Sequence, residues 1–285
     1  MRTHVRTTGK LLWQTIDACQ RDNTSLLAAS LSFYTLLSLA PALWVVIAFA
    51  GAWVGRESAR GEVMQWTANM VGGRAASYVG GVLSQVEGTN YVATLVGLLS
   101  MFFGASLAFG ALYDSLNRIW KVPPRPDRGI IRGYFTKRFL AFLLVLLVGV
   151  LILASLLLTT MVAALARMGA YSFAVPRLLL ESINFAIAMG LVMLLFAAIY
   201  RILHDTKIAW HDVWIGAAVT AALFAAGKAL LSFYLASAGL TSSYGAAGSL
   251  VVLLLWVYYS AQIFLFGAEF TEVYARRRAG RQPGH

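Results

Sequence analysis

The chain has 285 residues, of which 59% are hydrophobic and 12% are charged, and its mean hydropathy is +0.72. A soluble domain of this length would need far more charge to cover its surface, so the composition excludes a soluble globular protein. The net charge of +11 could suggest nucleic acid as a partner, but the basic residues flank long apolar stretches, which argues against that class.

Residues 1–25 precede the first apolar stretch and predict a cytoplasmic helix that lies in the membrane interface. Its apolar residues share one helical face: Val5, Leu12, Ile16 and Cys19. Trp13 is expected to anchor the helix. A solvated lead-in segment is the alternative. The Asp22–Ser25 segment offers N-cap side chains for the next helix.

The 33 residues between Asp22 and Arg56 contain no Asp, Glu, Lys or Arg, and similar stretches follow. A hydrocarbon core about 30 Å thick needs about 20 apolar residues in a helix. We therefore predict an all-α, polytopic membrane protein. Its six transmembrane helices lie near residues 28–54, 91–113, 139–165, 180–201, 213–236 and 246–270.

Two features of the spans predict how their helices bend and pack. Pro41 lies inside the first span and predicts a kink, which is tolerated where neighbouring protein groups satisfy the freed carbonyl. Small residues recur every four positions in the second and fifth spans, which predicts close helix packing or, alternatively, a sliding surface. They are Ser100, Gly104 and Ala108 in one span and Ala217, Ala221, Ala225 and Ala229 in the other.

The 57–88 segment is predicted to form two short amphipathic helices on the outer surface, interrupted at Gly72 and Gly73. A lid over an outward opening and a simple connector are both consistent with this pattern.

The distribution of Lys and Arg predicts the orientation. The N-terminus, the 114–138 and 201–211 loops and the basic 271–285 tail hold 17 of the 23 basic residues. Because basic residues mark the cytoplasmic side, both termini are expected in the cytoplasm of a bacterium, with anionic lipids as contacts of the inner face.

Lys228 is the one charged residue in the fifth span, where an unpaired charge is costly. Glu181 and Asn184 open the fourth span on the same outer side, so the three residues form a candidate polar or solute site. Snorkelling of Lys228 to the outer head groups is the alternative. Glu269, near the inner end of the sixth span, is expected to pair with Arg201 or Arg118.

No catalytic constellation is visible in the sequence. His204 and His211 share a loop with Asp205 and Asp212, but the spacing is not that of a zinc site. Cys19 is the single cysteine, which excludes an internal disulfide. We expect no catalytic residue, no metal and no cofactor.

A family resemblance is found in three segments and one loop. The segments are residues 28–41, 112–120 and 244–269, and the loop lies near residues 200–210. Their motif residues are Tyr34, Pro41, Asp114, Asn117, Trp120, Tyr200, Arg201, Tyr244, Gly245, Gly248, Trp256, Gly267 and Glu269. The combination resembles the YihY/virulence factor BrkB family of bacterial inner-membrane proteins. Many members carry proline where this chain has His204, Ala209 and Ile215, a departure that concerns the stiffness of one loop.

The resemblance implies a role in envelope integrity or virulence and in the export of a lipid-like or small solute. The family's former label, ribonuclease BN, is regarded as erroneous, and no nuclease centre is visible here. A transporter is therefore the leading hypothesis. A non-transporting membrane scaffold or interaction protein is the second, and a membrane-bound hydrolase is the third. No nucleic-acid partner is expected, and the sequence does not predict the oligomeric state.

Overall fold

The part of the chain described by a computed structural model is almost entirely helical. It comprises residues 2–38, 55–71, 73, 76–77, 80–81, 91–122, 151, 158, 161, 177–203, 209–237 and 248–280. Within those ranges every regular element is a helix and none is a strand. The prediction of an all-α protein is therefore confirmed for the described residues.

Seven helices follow one another along these ranges. They are α1 (Arg2–Arg21), α2 (Thr24–Ser38), α3 (Arg56–Val71), α4 (Tyr91–Ile119), α5 (Arg177–Ile202), α6 (Trp210–Ser237) and α7 (Gly248–Arg278).

Three of these helices are long and apolar enough to cross a membrane. The stretches are Ser182–Ile202 in α5, Trp210–Leu230 in α6 and Leu250–Arg278 in α7. A helix of 21 residues is about 31 Å long, which matches a hydrocarbon core about 30 Å thick. By length and composition, the structure therefore supports the fourth, fifth and sixth predicted spans.

The other predicted spans are described less completely. α2 forms the start of the first one, whereas residues 39–54, including Pro41, lie outside the described residues. α4 covers all of the span predicted at 91–113. Within 139–165 the described positions, 151, 158 and 161, are helical. The number of six spans stays a prediction.

α1 has three distinct faces. Thr15 and Ala18 are buried, whereas Leu12, Trp13 and Ile16 are exposed, and Trp13 is 72% exposed. The charged residues Lys10, Asp17 and Arg21 occupy the remaining side of the helix. The predicted N-terminal helix is thus present, and one of its faces presents bulky apolar side chains away from the protein.

α2 begins within the Asp22–Ser25 segment, for which the sequence predicts the start of a helix. The Asn23 carbonyl accepts hydrogen bonds from the amides of Leu26 and Leu27 at 2.9 and 3.2 Å. Asn23 has a φ of 54°, a left-handed conformation that asparagine tolerates better than most residues. This conformation ends α1 and redirects the chain into α2 immediately after Asp22.

α4 ends in a Schellman motif built on a lysine. The Lys121 amide donates to the Arg118 carbonyl at 3.1 Å, and the Val122 amide donates to the Asn117 carbonyl at 2.9 Å. Lys121 has a φ of 51°, at a position where glycine is usual. The left-handed conformation of Lys121 therefore destabilises the backbone by about 1 kcal/mol relative to glycine at the same position.

In the 57–88 segment, α3 lies where the first of the two amphipathic helices was predicted, but its apolar residues are not gathered on one face. The location of this segment on the outer surface stays a prediction. Residues 73, 76–77 and 80–81, which are the described part of the remainder, are also helical. Arg60 donates to the Gly80 carbonyl at 3.5 Å, and Met64 lies against Gly80. The two helical pieces thus pack on each other, which does not distinguish a lid from a connector.

The chain divides into two units, which we describe separately. The first comprises residues 1–22, 116–225 and 264–285, and the second comprises residues 23–115 and 226–263. Buried side chains of the first unit include Leu116, Ile119, Ala197, Tyr200, Leu203, Val213, Ala217, Ala221, Leu265 and Ala268. Those of the second unit include Ala28, Leu31, Val252 and Leu253.

Small residues set the helix contacts of the second unit. A Cβ atom on Gly104 would lie 2.9 Å from the Ser38 Cβ, and one on Gly227 would lie 2.7 Å from the Tyr259 ring. Gln262 donates to the Ser25 hydroxyl at 2.9 Å, which links α7 to α2. These contacts support the packing role predicted for the small residues of the second span.

Candidate functional site

α6 and α7 interlock in the first unit through the same local motif on both helices. Each carries a glycine followed four residues later by a threonine: Gly216 and Thr220 on α6, Gly267 and Thr271 on α7. Thr271 lies against Gly216, and Thr220 lies against Gly267, so closely that a Cβ atom on either glycine would overlap the threonine hydroxyl. The two helices therefore run antiparallel at this contact and approach closely, as small residues allow in a membrane.

The threonine hydroxyls in this contact are satisfied within their own helices. Thr220 donates to the Gly216 carbonyl at 2.7 Å, and Thr271 donates to the Gly267 carbonyl at 2.6 Å. Both threonines are fully buried. The hydroxyls thus avoid the cost of a buried unpaired donor, while their methyl groups fill the space above the opposite glycine.

Tyr200 brings α5 into the same contact. Its hydroxyl donates to the Phe264 carbonyl at 2.7 Å and lies 3.1 Å from the Thr220 hydroxyl. Its ring packs on the Phe264 ring with 5.2 Å between centroids. A Cβ atom on Gly267 would lie 2.6 Å from the Tyr200 hydroxyl. We call Tyr200, Gly216, Thr220, Gly267 and Thr271 the Gly–Thr lock.

A group of charged residues surrounds Glu269 of α7, which lies between Gly267 and Thr271 in the sequence. Glu269 is 1% exposed. Asp22, Lys121 and Glu272 lie near enough to act on its carboxyl group electrostatically. The α1–α2 turn thus supplies Asp22, the Schellman motif supplies Lys121, and α7 supplies two carboxylates. We call these residues the carboxyl cluster.

The arrangement differs from the expected pairing of Glu269. Arg201 lies over the Trp210 ring, 5.3 Å from its centroid, and the charged neighbours of Glu269 do not include Arg118. The basic neighbour is Lys121, which the left-handed turn carries toward α7. Among the described residues no donor reaches Oε1 of Glu269.

Basic residues at the end of α7 make contacts within α7 and with two other helices of the first unit. Arg276 pairs with Glu272 at 3.0 Å. Arg277 donates to the Gln14 side chain of α1 at 2.6 Å. Arg278 pairs with Asp212, in the first turn of α6, at 2.8 Å, and donates to Nδ1 of His211 at 2.9 Å. Arg277 and Arg278 therefore attach the last turn of α7 to α1 and α6.

The outer site predicted from the sequence is only partly described. Lys228 is exposed on α6, and Asn184 is exposed on α5, whereas the side chain of Glu181 is outside the description. Lys228 belongs to the second unit and Asn184 to the first. Their association in one site stays a prediction.

Comparison with known proteins assigns the family. The model of the virulence factor BrkB family matches residues 15–285. The chain belongs to this family. A UPF0761 membrane protein of Alteromonas mediterranea is 26% identical over 273 residues, which cover 94% of this chain and 90% of the relative. No solved structure matches the chain.

Two further relatives support the same assignment. A UPF0761 membrane protein of Pseudoalteromonas atlantica is 27% identical, over 90% of this chain and 83% of its own length. One of Aeromonas salmonicida is 28% identical, over 88% of this chain and 84% of its own length. The resemblance seen in the motif residues is thereby confirmed, as is the description of the chain as a membrane protein.

Three motif residues of this BrkB-family chain are contact residues in the first unit. Tyr200 and Gly267 belong to the Gly–Thr lock, and Glu269 belongs to the carboxyl cluster. Asn117 contributes its carbonyl to the Schellman motif.

The remaining motif residues are placed less specifically. Asp114 is exposed on α4, Trp120 and Trp256 are half-buried, and Tyr34 packs edge-on against Phe33 at 5.6 Å. Gly248 is the first residue of α7. Pro41, Tyr244 and Gly245 lie outside the described residues.

The loop that superficially suggested a metal site has other contacts. Nδ1 of His211 and the Asp212 carboxylate both meet Arg278, whereas His204 and Asp205 lie outside the described residues. Across the described ranges, no group of three or more His, Cys, Asp or Glu side chains is placed to hold a metal ion.

Sequence reasoning overlooked Asp22, Lys121 and the threonines of the lock as partners. A signal for the lock was present, because both helices carry glycine and threonine four residues apart. No comparable signal marked Lys121, since its approach to Glu269 depends on an uncommon backbone conformation.

Proposed function

We propose that this BrkB-family protein transports or exports a lipid-like or small solute across the inner membrane of a bacterium and thereby supports envelope integrity. The observation that carries the proposal is the exposure of Lys228 on the apolar helix α6. The proposal assigns no catalytic residue, no cofactor and no nucleic-acid partner.

Lys228 lies near the outer end of the apolar stretch Trp210–Leu230. A lysine within a spanning helix costs about 3 kcal/mol at the centre and less toward the ends, so it is retained where it meets water, an opposite charge or a ligand. Leu223 and Leu230, on either side of Lys228 along α6, are also exposed. An ammonium group between exposed leucines matches an amphiphile that has an anionic head and an apolar chain. Asn184 and Glu181 would complete the polar part of this site.

The proposal includes an orientation with both termini in the cytoplasm. Arg276, Arg277 and Arg278 at the end of α7 then face the inner leaflet, where anionic lipids attract basic side chains. The exposed apolar face of α1 would lie in the same interface.

Native mass spectrometry of the gently extracted full chain tests the binding step. We expect a discrete lipid or solute on the wild-type protein, its loss in Lys228→Ala, and its retention in Lys10→Ala. Lys10 is an exposed lysine of α1 and serves as the matched control. If wild type and Lys228→Ala release the same mixture of bulk lipids, the proposed site is wrong.

A membrane scaffold is the second candidate function. The observation that favours it is the Gly–Thr lock, because such close packing fits helices that stay together. A scaffold predicts that Lys228→Ala leaves lipid retention unchanged, whereas a pull-down with the intact chain recovers the same membrane proteins from wild type and variant.

A further inference from the structure

The buried carboxylate at the start of α6 meets two basic side chains. The side chain of Asp212 is 7% exposed, and its Oδ1 lies 2.8 Å from Nη1 of Arg278. Nδ1 of His211 lies 3.3 Å from the same oxygen. The side chains of Arg278 and His211 are 53% and 58% exposed. A buried charge needs a pairing partner, and here two side chains are placed to supply it.

The contact between the two basic residues requires a neutral imidazole ring. Nη1 of Arg278 lies 2.9 Å from Nδ1 of His211. A guanidinium group has donors only, so Nδ1 must accept this hydrogen bond and the ring proton must be on Nε2. A proton on Nδ1 would place two donors and two positive charges at this distance. The observed arrangement therefore belongs to uncharged His211.

We propose that these three residues form a proton-operated latch, which attaches the end of α7 to α6 while His211 is neutral and releases it when His211 is protonated. The proton comes from water and binds Nδ1, and the new N–H group donates to Asp212. Arg278 then leaves the carboxylate. Asp212 keeps one cationic partner in both states, so the exchange leaves no buried charge unpaired. The inference is independent of the proposed transport activity, because both states belong to the protein without a solute.

The positions of the two basic residues in the chain determine which of them leaves. His211 is adjacent to Asp212 in the first turn of α6, so its ring stays close to the carboxylate. Arg278 is the last residue of α7, and its long side chain can turn outward. Histidine is the side chain whose ordinary charge change falls between pH 5 and 8. The latch is therefore closed at the upper end of this range and open at the lower end.

Other titratable groups near the latch keep one charge state in the same range. On α7, Tyr274 acts electrostatically on Arg278. On α5, Arg201 lies over the ring of Trp210, the residue before His211, 5.3 Å from its centroid. Phenol and guanidinium groups do not change charge between pH 5 and 8. Within the described ranges, acidification across this interval therefore acts on the latch through His211.

A spin label next to Arg278 tests the latch in the full-length chain in detergent. Ala279 is exposed, and a chain with Cys19→Ala and Ala279→Cys has one thiol to carry the label. We expect the paramagnetic resonance spectrum to show a slow label at pH 8 and a several-fold larger mobile fraction at pH 6. His211→Asn keeps an acceptor in place of Nδ1 but takes up no proton, so its label should stay slow at both pH values.

Three more variants keep the result decisive. His211→Gln offers a second neutral acceptor and should behave like His211→Asn. Arg278→Gln should give a mobile label at both pH values, because the charged contact with Asp212 is lost. Asp17→Asn removes a separate ion pair on α1 and should keep the pH response. A label whose mobility is the same at pH 8 and pH 6, an equal response in both His211 variants, or a slow label in Arg278→Gln at pH 8 overturns the proposal.

Discussion

At the scale of single residues, the first unit depends on positions that have no side chain. Gly216 and Gly267 lie under threonines of the opposite helix, at a separation that no Cβ atom could occupy. The glycines lower helix propensity by about 1 kcal/mol each. Their presence in spanning helices is explained by the close approach that they allow between α6 and α7.

Gly267→Ala should therefore destabilise the protein despite the gain in helix propensity. The new methyl group would overlap Thr220 and crowd Tyr200, and overpacking of this kind costs about 1–3 kcal/mol. Thermal unfolding in detergent measures the effect. Gly110→Ala on α4, where no atom lies within 4 Å of the added Cβ, is the control and should be neutral or slightly stabilising. Equal melting temperatures for Gly267→Ala and wild type would show that the lock is not closely packed.

Tyr200→Phe tests the hydroxyl of the lock separately from its ring. The substitution leaves the Phe264 carbonyl without its 2.7 Å donor while preserving the aromatic contact. We expect a loss of about 0.6–2 kcal/mol in the free energy of unfolding, the range measured for hydrogen bonds between membrane helices. A double variant with Thr220→Val should lose less than the sum of the two single losses, because the hydroxyls share one network. Strict additivity would contradict this.

At the scale of elements, α7 is the helix that organises the first unit. Its 31 residues extend about 46 Å, well beyond the thickness of a hydrocarbon core, so its last turns project past the span. Glu269 lies near the inner end of the predicted span, and the projecting turns carry the three arginines that contact α1, α6 and α7 itself.

Asp212→Asn should weaken the attachment of α7 to the start of α6. Asp212 is buried, pairs with Arg278 at 2.8 Å and lies in the first turn of α6, where a negative charge also favours the helix. Because Arg278 is exposed, the loss of stability should be small and should shrink as salt is added. Denaturation at low and high salt measures it.

Asp17→Asn is the matched control for this ion pair. Asp17 and Arg21 form an exposed pair one turn apart on α1, and such pairs contribute about 0.5 kcal/mol or less. If both variants lose the same stability, burial of Asp212 has no special role.

The elements also show where prediction from sequence succeeds. Spanning length, low charge and the start of a helix within the Asp22–Ser25 segment are local properties, and the described residues agree with them. The expected pairing of Glu269 with Arg201 or Arg118 is not found among the contacts of the described residues, where Lys121 is the basic residue near its carboxyl group. The site around Lys228 depends on helix placement in space, which residue spacing alone does not determine.

At the scale of the whole molecule, the charge distribution predicts the orientation in the membrane. Cys19 is the single cysteine, so a Cys19→Ala variant has no thiol. A cysteine introduced at a chosen position of this variant is then the one site that a maleimide can label. Lys10→Cys on α1 is exposed and should react with a membrane-impermeant maleimide only after the inner membrane of spheroplasts is permeabilised.

Ser58→Cys provides the opposite reporter. Ser58 is exposed on α3, which the account places on the outer side, so it should react in intact spheroplasts. Labelling of Lys10→Cys without permeabilisation would invert the orientation and remove the basis for anionic lipid contacts at the N-terminal face.

The central claim, that an amphiphile passes the membrane at Lys228, is tested most directly in vesicles of phosphatidylethanolamine and phosphatidylglycerol. These contain the purified chain and a trace of fluorescent short-chain phosphatidylglycerol. Dithionite added outside the vesicles reduces the fluorescent label of lipids in the outer leaflet at once. It reduces the label of inner-leaflet lipids only when those lipids move to the outer leaflet. The account predicts that the wild-type protein exposes the inner label, that Lys228→Ala slows this markedly and that Lys10→Ala does not. Inner label that stays as protected as in protein-free vesicles would contradict passage of an amphiphile and leave the scaffold as the function.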